Sequence, residues 1–219
     1  MKQVIAALLF VGAAVCLAQD AVKAAPGNYK VIAENESVRV LEANLPAGAK
    51  TAMHSHPALL SVMLAPGTVK WTKPDGKSDQ APPGMSRGSV MSMGPDTHVS
   101  ENFGKEPVRV ILVEFKQAAP PAAKAHAAPS VPNCKPVDDA PHATALLCTG
   151  SAGSTVPKHT HATQGVYIAL TDVNAEVTDA AGNQRMLDMK KDTAAITMPE
   201  THTVVNKGGP YELIVVSLK

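Results

Sequence analysis

Six of the eight histidines in this 219-residue chain fall into two copies of one pattern. His54-Ser55-His56 and His159-Thr160-His161 are His-x-His pairs, and a third histidine, His98 or His202, follows 42 or 41 residues later. Side chains two apart in a strand share a face, so each pair can aim two imidazoles at one point. A third imidazole from a neighbouring strand would complete a facial set with coordination positions left over. Imidazole suits Fe, Zn, Cu and Ni, and Mn where a carboxylate helps. The spacing therefore predicts a divalent metal ion at His54, His56 and His98, at His159, His161 and His202, or at both. A single His-x-His is ordinary on a solvated strand; its recurrence at matched positions carries the prediction. His126 and His142 stand outside the pattern.

The elements that must position these histidines are also written twice. A shift of 105 sets Gly48 on Gly153, His54 on His159 and His56 on His161. A shift of 104 sets GPDTHVSEN (94–102) on MPETHTVVN (198–206), so His98 falls on His202 and Asn102 on Asn206. Each copy closes with a β-rich apolar run, VRVILVEFK (108–116) and YELIVVSLK (211–219). Two domains follow, 28–116 and 136–219. The Ala- and Pro-rich stretch between them, 117–135, can build neither core nor strand ladder and reads as a linker. Short apolar segments recur between Gly and Pro punctuation, with turn signals at 74–76 and 179–183. No long helical period appears, so all-β barrels are expected. Each copy is small, so one is expected to pack on the other, or two chains to pair as a homodimer.

Counting at period two from each His pair, Ala58, Leu60, Val62 and Leu64 are expected to point into the first barrel. Thr163, Gly165, Tyr167 and Ala169 are expected to point into the second. Tyr167 would either hydrogen-bond a ligand or fill the barrel. Asn102 and Asn206 would fix the backbone or the histidines' surroundings. Asp96 and Glu200, at the barrel mouths, would orient a histidine, act as a base or stand solvated. Met85, Met91 and Met93 read as core, with copper binding as the alternative.

Composition sets the class. Hydrophobic residues make up 45% and charged residues 18% of the chain, enough apolar material for packed cores. Net charge is +1 and no Lys/Arg run occurs, which gives nucleic acid no footing. Lys2 followed by the apolar run Val4 to Ala18 reads as a signal peptide within 1–24, too short to span a bilayer comfortably. Cleavage fits after Ala18 or after Ala24. The mature protein would then be periplasmic or secreted and free of the membrane. Cys134 and Cys148 would remain, bridged in that oxidising compartment or free.

The histidine pattern resembles that of the cupin superfamily, whose first motif is Gly, five residues, His-x-His, three or four residues, then Glu. Gly48-x5-His54-x-His56 and Gly153-x5-His159-x-His161 match its first half. His98 and Asn102, like His202 and Asn206, match the end of its second motif. The stretch 28–48 also resembles small stand-alone bacterial cupins. The resemblance implies two tandem jelly-roll barrels, a bicupin. The motif glutamate is missing: its place falls at Leu60 or Ser61 and at Gly165 or Val166, with Gln164 one position early. The Pro-x-Gly before the last histidine is altered too. Three-histidine cupins can hold Fe(II) for O2 chemistry, as thiol dioxygenases do, and loss of the carboxylate weakens the case for Mn or oxalate-type chemistry. An exported, metal-dependent enzyme of oxygenase type acting on a small organic molecule is therefore one expectation. A non-catalytic module that binds a small ligand or the metal is the other.

Overall fold

The computed structural model describes residues 19–121 and 130–219. The leader core before residue 19 and the centre of the expected linker, 122–129, lie outside them. The first unit runs β1 (Gln19–Asp20), α1 (Ala21–Ala24), β2 (Tyr29–Glu34), β3 (Val38–Leu45), β4 (His54–His56), β5 (Leu59–Met63), β6 (Val69–Thr72), β7 (Ser78–Gln80), β8 (Val90–Met93), β9 (Asp96–Asn102) and β10 (Val108–Phe115). The second runs β11 (Cys134–Asp139), β12 (Ala143–Gly150), β13 (Thr155–His161), β14 (Gly165–Ala169), β15 (Val173–Asp179), β16 (Gln184–Met189), β17 (Ala194–Thr197), β18 (Glu200–Asn206) and β19 (Tyr211–Leu218). Among the described residues no helix is long and apolar enough to cross a membrane.

Each unit is a jelly roll of two sheets. The histidine sheets are β1-β4-β9-β6-β7 and β13-β18-β15-β16. The facing sheets are β2-β3-β10-β5-β8 and β11-β12-β19-β14-β17, the same order in both units. The expected duplication is thus a duplication of topology.

The facing sheets explain the near-continuous apolar runs of β5, β10, β14 and β19. A strand buried on both faces cannot alternate apolar with polar. One face of each looks into its own lumen and the other looks at the sister unit. Leu60, Val62, Ile111 and Val113 of the first unit join Val166, Ile168, Ile214 and Val216 of the second in one core, all with no exposed surface. Mutual packing therefore supplies the burial that neither small unit could reach alone. Strand β2 touches β17 while β8 touches β11. Because β8 corresponds to β17 and β2 to β11, the two contacts are equivalent, as in an isologous dimer. A charged rim closes the seam. Arg87 bonds the Leu170 carbonyl and the Asp192 carboxylate across it, and Arg109 reaches Asp192 at 2.7 Å.

This arrangement corrects the lumen assignment for the first barrel. Ala58, Leu60, Val62 and Leu64 belong to the shared core, and Leu59, Ser61 and Met63 line the lumen instead. The second unit has one more residue than the first between its His pair and the next strand, Ala162 to Gln164 against Pro57 and Ala58. In the second unit the period-two count holds at Tyr167, which faces the lumen, and in the first it flips.

Two boundaries also move. Strand β1 pairs in parallel with β4, Gln19 opposite His54, and Ala21 is buried in the first unit's core, so that unit begins well before residue 28. Strand β11 starts at Cys134, inside the expected linker. Cys134 lies directly opposite Cys148 in β12, and the two are bridged.

Candidate metal centres

In the second barrel the sheet register brings two histidines face to face. His159 pairs with His202 across β13 and β18, and His161 follows two residues on, on the same face. The three rings lie 4.5 to 5.2 Å apart, and one nitrogen from each comes within 4.8 Å of the other two. Gly153 precedes them with φ +73, a left-handed turn that favours glycine and delivers the chain into β13.

Hydrogen bonds fix which nitrogen is offered. His159 Nδ1 donates to the Pro157 carbonyl at 2.8 Å, and His202 Nδ1 donates to Glu200 Oε2 at 2.8 Å. A carbonyl can only accept, so the proton sits on Nδ1 and Nε2 presents a lone pair. The Nε2 atoms of His159 and His202 then face each other at 3.1 Å. A contact this short is closed by a cation between the two nitrogens, either a shared proton or a metal ion. Metal–nitrogen bonds of about 2.0–2.1 Å put neighbouring ligand nitrogens about 2.9–3.3 Å apart, which matches. His161 Nε2 and the Tyr167 hydroxyl share a hydrogen bond at 3.3 Å. Tyr167 thus touches the centre as well as filling the barrel. Burial, then repulsion from His159 and His202, pushes His161 down to about 4, which favours its neutral form. Glu200 orients His202 and is held below the usual carboxylate range. Burial opposes that, but the His202 bond and the Arg185 charge outweigh it. Of the roles open to it, the hydrogen bond to His202 Nδ1 gives Glu200 the orienting one.

The first barrel repeats the plan more loosely. His54 lies opposite His98 in β4 and β9. The His54–His98 and His56–His98 ring separations are 5.0 Å. Among the described residues, only the second set brings three nitrogens within 4.8 Å of one another. His54 Nδ1 donates to the Ala52 carbonyl at 2.9 Å and His56 Nδ1 to the Pro57 carbonyl at 2.7 Å. Their Nε2 atoms are again the free acceptors. Tyr29 occupies that of His54 at 3.3 Å, while His56 Nε2 is buried without a partner among the described residues. Asp96 approaches His98 Nδ1 at 3.4 Å. Burial, then repulsion from His56 and His54, pushes His98 down to about 4.

Asn102 and Asn206 hold backbone. Asn102 donates to the carbonyls of Leu45 and Glu106 and accepts from Gly104 N–H. Asn206 does the same for Ser151, Gly209 and Gly208. Each pins the turn that leaves its histidine strand.

No protein-family model matches the sequence, and no curated protein is similar to it. Solved structures do match. AerE from Microcystis aeruginosa aligns over 88% of this chain and 97% of its own, at 14% identity and TM-score 0.58. A cupin 2 conserved barrel domain protein from Leptotrichia buccalis aligns over 87% and 88%, at 11% identity and TM-score 0.53. A single-substitution variant of oxalate decarboxylase from Bacillus subtilis aligns over 86% and 71%, at 12% identity and TM-score 0.60. The chain has the bicupin fold.

Within that fold the missing cupin glutamate is accounted for position by position. A Cβ on Gly165 would lie 2.2 Å from the Val216 carbonyl oxygen, so no carboxylate fits there. Val166 and Leu60 face the shared core. Ser61 faces the first lumen but donates to the Met91 carbonyl. The centre of the second barrel is therefore three histidines, a set that suits a divalent ion.

The first lumen also holds residues the histidine spacing did not predict. It has a volume of about 70 Å³, against about 50 Å³ for the second. Tyr29, Trp71 and the fully buried Glu114 line it. A lone acid inside the apolar run of β10 was the available signal for Glu114. Met63, Met85, Met91 and Met93 line it as well, so these methionines serve the cavity wall.

Proposed function

We propose that this protein is an exported, metal-binding bicupin that binds a small organic molecule. His159, His161 and His202 hold a divalent ion in the second barrel, and His54, His56 and His98 form the corresponding set in the first. The observation that carries this reading is the 3.1 Å approach of two lone-pair nitrogens, His159 Nε2 and His202 Nε2, beside a third buried histidine.

Imidazole-only ligation favours Fe(II), Zn, Cu or Ni over Mn. Such an ion would supply Lewis acidity or, for iron and copper, redox chemistry with O2 at its open positions. The chain's own residues do the rest. Carbonyl and carboxylate acceptors turn five of the six imidazoles with Nε2 inward. Apolar lumen walls exclude water, which strengthens every charge interaction inside. Turnover of a small substrate with O2 is the enzymatic form of the proposal.

The test is elemental analysis of protein purified from its native compartment. At least about one divalent ion per chain is expected, falling by about one in His202→Ala, with two-site loading in the wild type if both sets bind. A metal-free protein that takes up no ion on reconstitution would overturn the reading. Bound iron with O2 consumption separates the enzyme from the binding module.

A further inference from the structure

Glu114 reaches the first lumen from β10 and is 1% exposed. Its Oε2 accepts from Arg39 Nε at 2.6 Å. The other end of Arg39 is held by Asp20, so two carboxylates share one guanidinium. Glu114 Oε1 accepts no hydrogen bond from any described residue. A buried acceptor left unpaired costs on the order of 1–3 kcal/mol, more when charged, and native proteins rarely leave one.

Three observations say what kind of group completes it. The surrounding wall is mostly apolar, with methionines and Trp71, beside the three histidines, Tyr29, Ser61 and Ser100. No Lys or Arg lines this cavity, and the nearby Arg39 is already shared. The cluster is also dispensable to the fold. In the second barrel the matching cross-strand pair is Thr144 opposite Ser217, and the same sheet forms without any ion pair there.

We infer that the first lumen binds a small, mostly apolar molecule whose hydroxyl or amine donates to Glu114 Oε1, and that it rejects carboxylates. While the first histidine set holds no ion, a ligand carboxylate would set negative charge against Oε1 with no Lys or Arg among the cavity's lining residues to balance it. This substrate class differs from the dicarboxylate named in the oxalate decarboxylase neighbours. The inference rests on the small-molecule part of the proposed function and not on a metal in the first lumen.

Trp71 is the single tryptophan and lines this cavity, so its fluorescence reads the first lumen alone. The experiment titrates the purified holoprotein with 1-butanol, butylamine and butyrate, which share a four-carbon skeleton and differ in the head group. Saturable changes are expected with the alcohol and the amine, and binding of butyrate weaker by roughly tenfold or more. In Glu114→Gln the amide oxygen stays with Arg39 and the NH2 turns into the lumen, so the ranking should invert toward butyrate. Equal binding of all three, tighter butyrate binding in the wild type, or an unchanged ranking in Glu114→Gln would overturn the inference. If Glu114→Gln does not fold, the wild-type ranking decides alone. Metal content is measured on the same samples. A metal-free protein that keeps the ranking would defeat the metal reading and leave this one standing. A metal-loaded protein that binds none of the probes would do the reverse.

Discussion

The histidines work through the atoms behind them. Of the six, five have Nδ1 turned to a backbone carbonyl or a carboxylate, which leaves Nε2 for the lumen. Glu200 is the strongest of these partners, because it is itself steadied by Arg185. Glu200→Gln should weaken metal binding to the second barrel by about tenfold to a hundredfold, with the fold intact. Competition against a chromophoric chelator measures it, and unchanged affinity would remove Glu200 from the site. Protonation gives a second handle. In an unfolded chain these imidazoles take up a proton near about 6.5. In the folded protein burial delays this to about 4 for His98 and His161. Between those values the unfolded state binds more protons, so the metal-free protein should lose stability as the pH falls through that window. Urea midpoints taken with chelator at about pH 7 and about pH 5 should drop at the lower pH. Equal midpoints would show that the lumen histidines are solvated.

At the level of strands, the histidine sets and the duplicated topology were readable because both rest on local spacing. Period two holds within β4 and β13, and one shift sets Gly48 on Gly153 together with both histidines of each pair. The lumen lining of the first barrel was not readable. The stretch between His56 and Leu59 is one residue shorter than its counterpart, and one residue is enough to exchange the faces of β5. Glu114 was hidden for a related reason: its function depends on Arg39, 75 positions away in sequence and directly opposite in the sheet. The N-terminal segment was left open between two cleavage positions. Asp20 caps α1 through Val22 N–H, bonds Arg39, and sits beside β4. Cleavage after Ala24 would strip these contacts and leave Arg39 with one carboxylate. Mature protein recovered from the envelope or the medium should therefore begin at Gln19. Terminal sequencing checks this, and a start at Ala25 would contradict it.

At the scale of the whole molecule, the two barrels share one core, so neither lumen is independent of the other barrel's packing. Leu60 has no exposed surface and sits in the seam rather than beside the histidines. Leu60→Ala should cost about 2–5 kcal/mol of stability while leaving metal content unchanged. Denaturant melts paired with elemental analysis would show this, and loss of metal without loss of stability would return Leu60 to the lumen. The duplicated scaffold has meanwhile diverged inside. The second barrel carries the tighter histidine set beside a Cys134–Cys148 bridge, and the first carries a larger cavity with an acid in its wall. That asymmetry predicts that the second barrel fills first. Crystals of the metal-loaded protein, with diffraction recorded at the absorption edge of the bound element, would locate the ion. A single strong anomalous peak within bonding reach of His159, His161 and His202 is the predicted result. A metal-loaded crystal with no peak at those three histidines would contradict it.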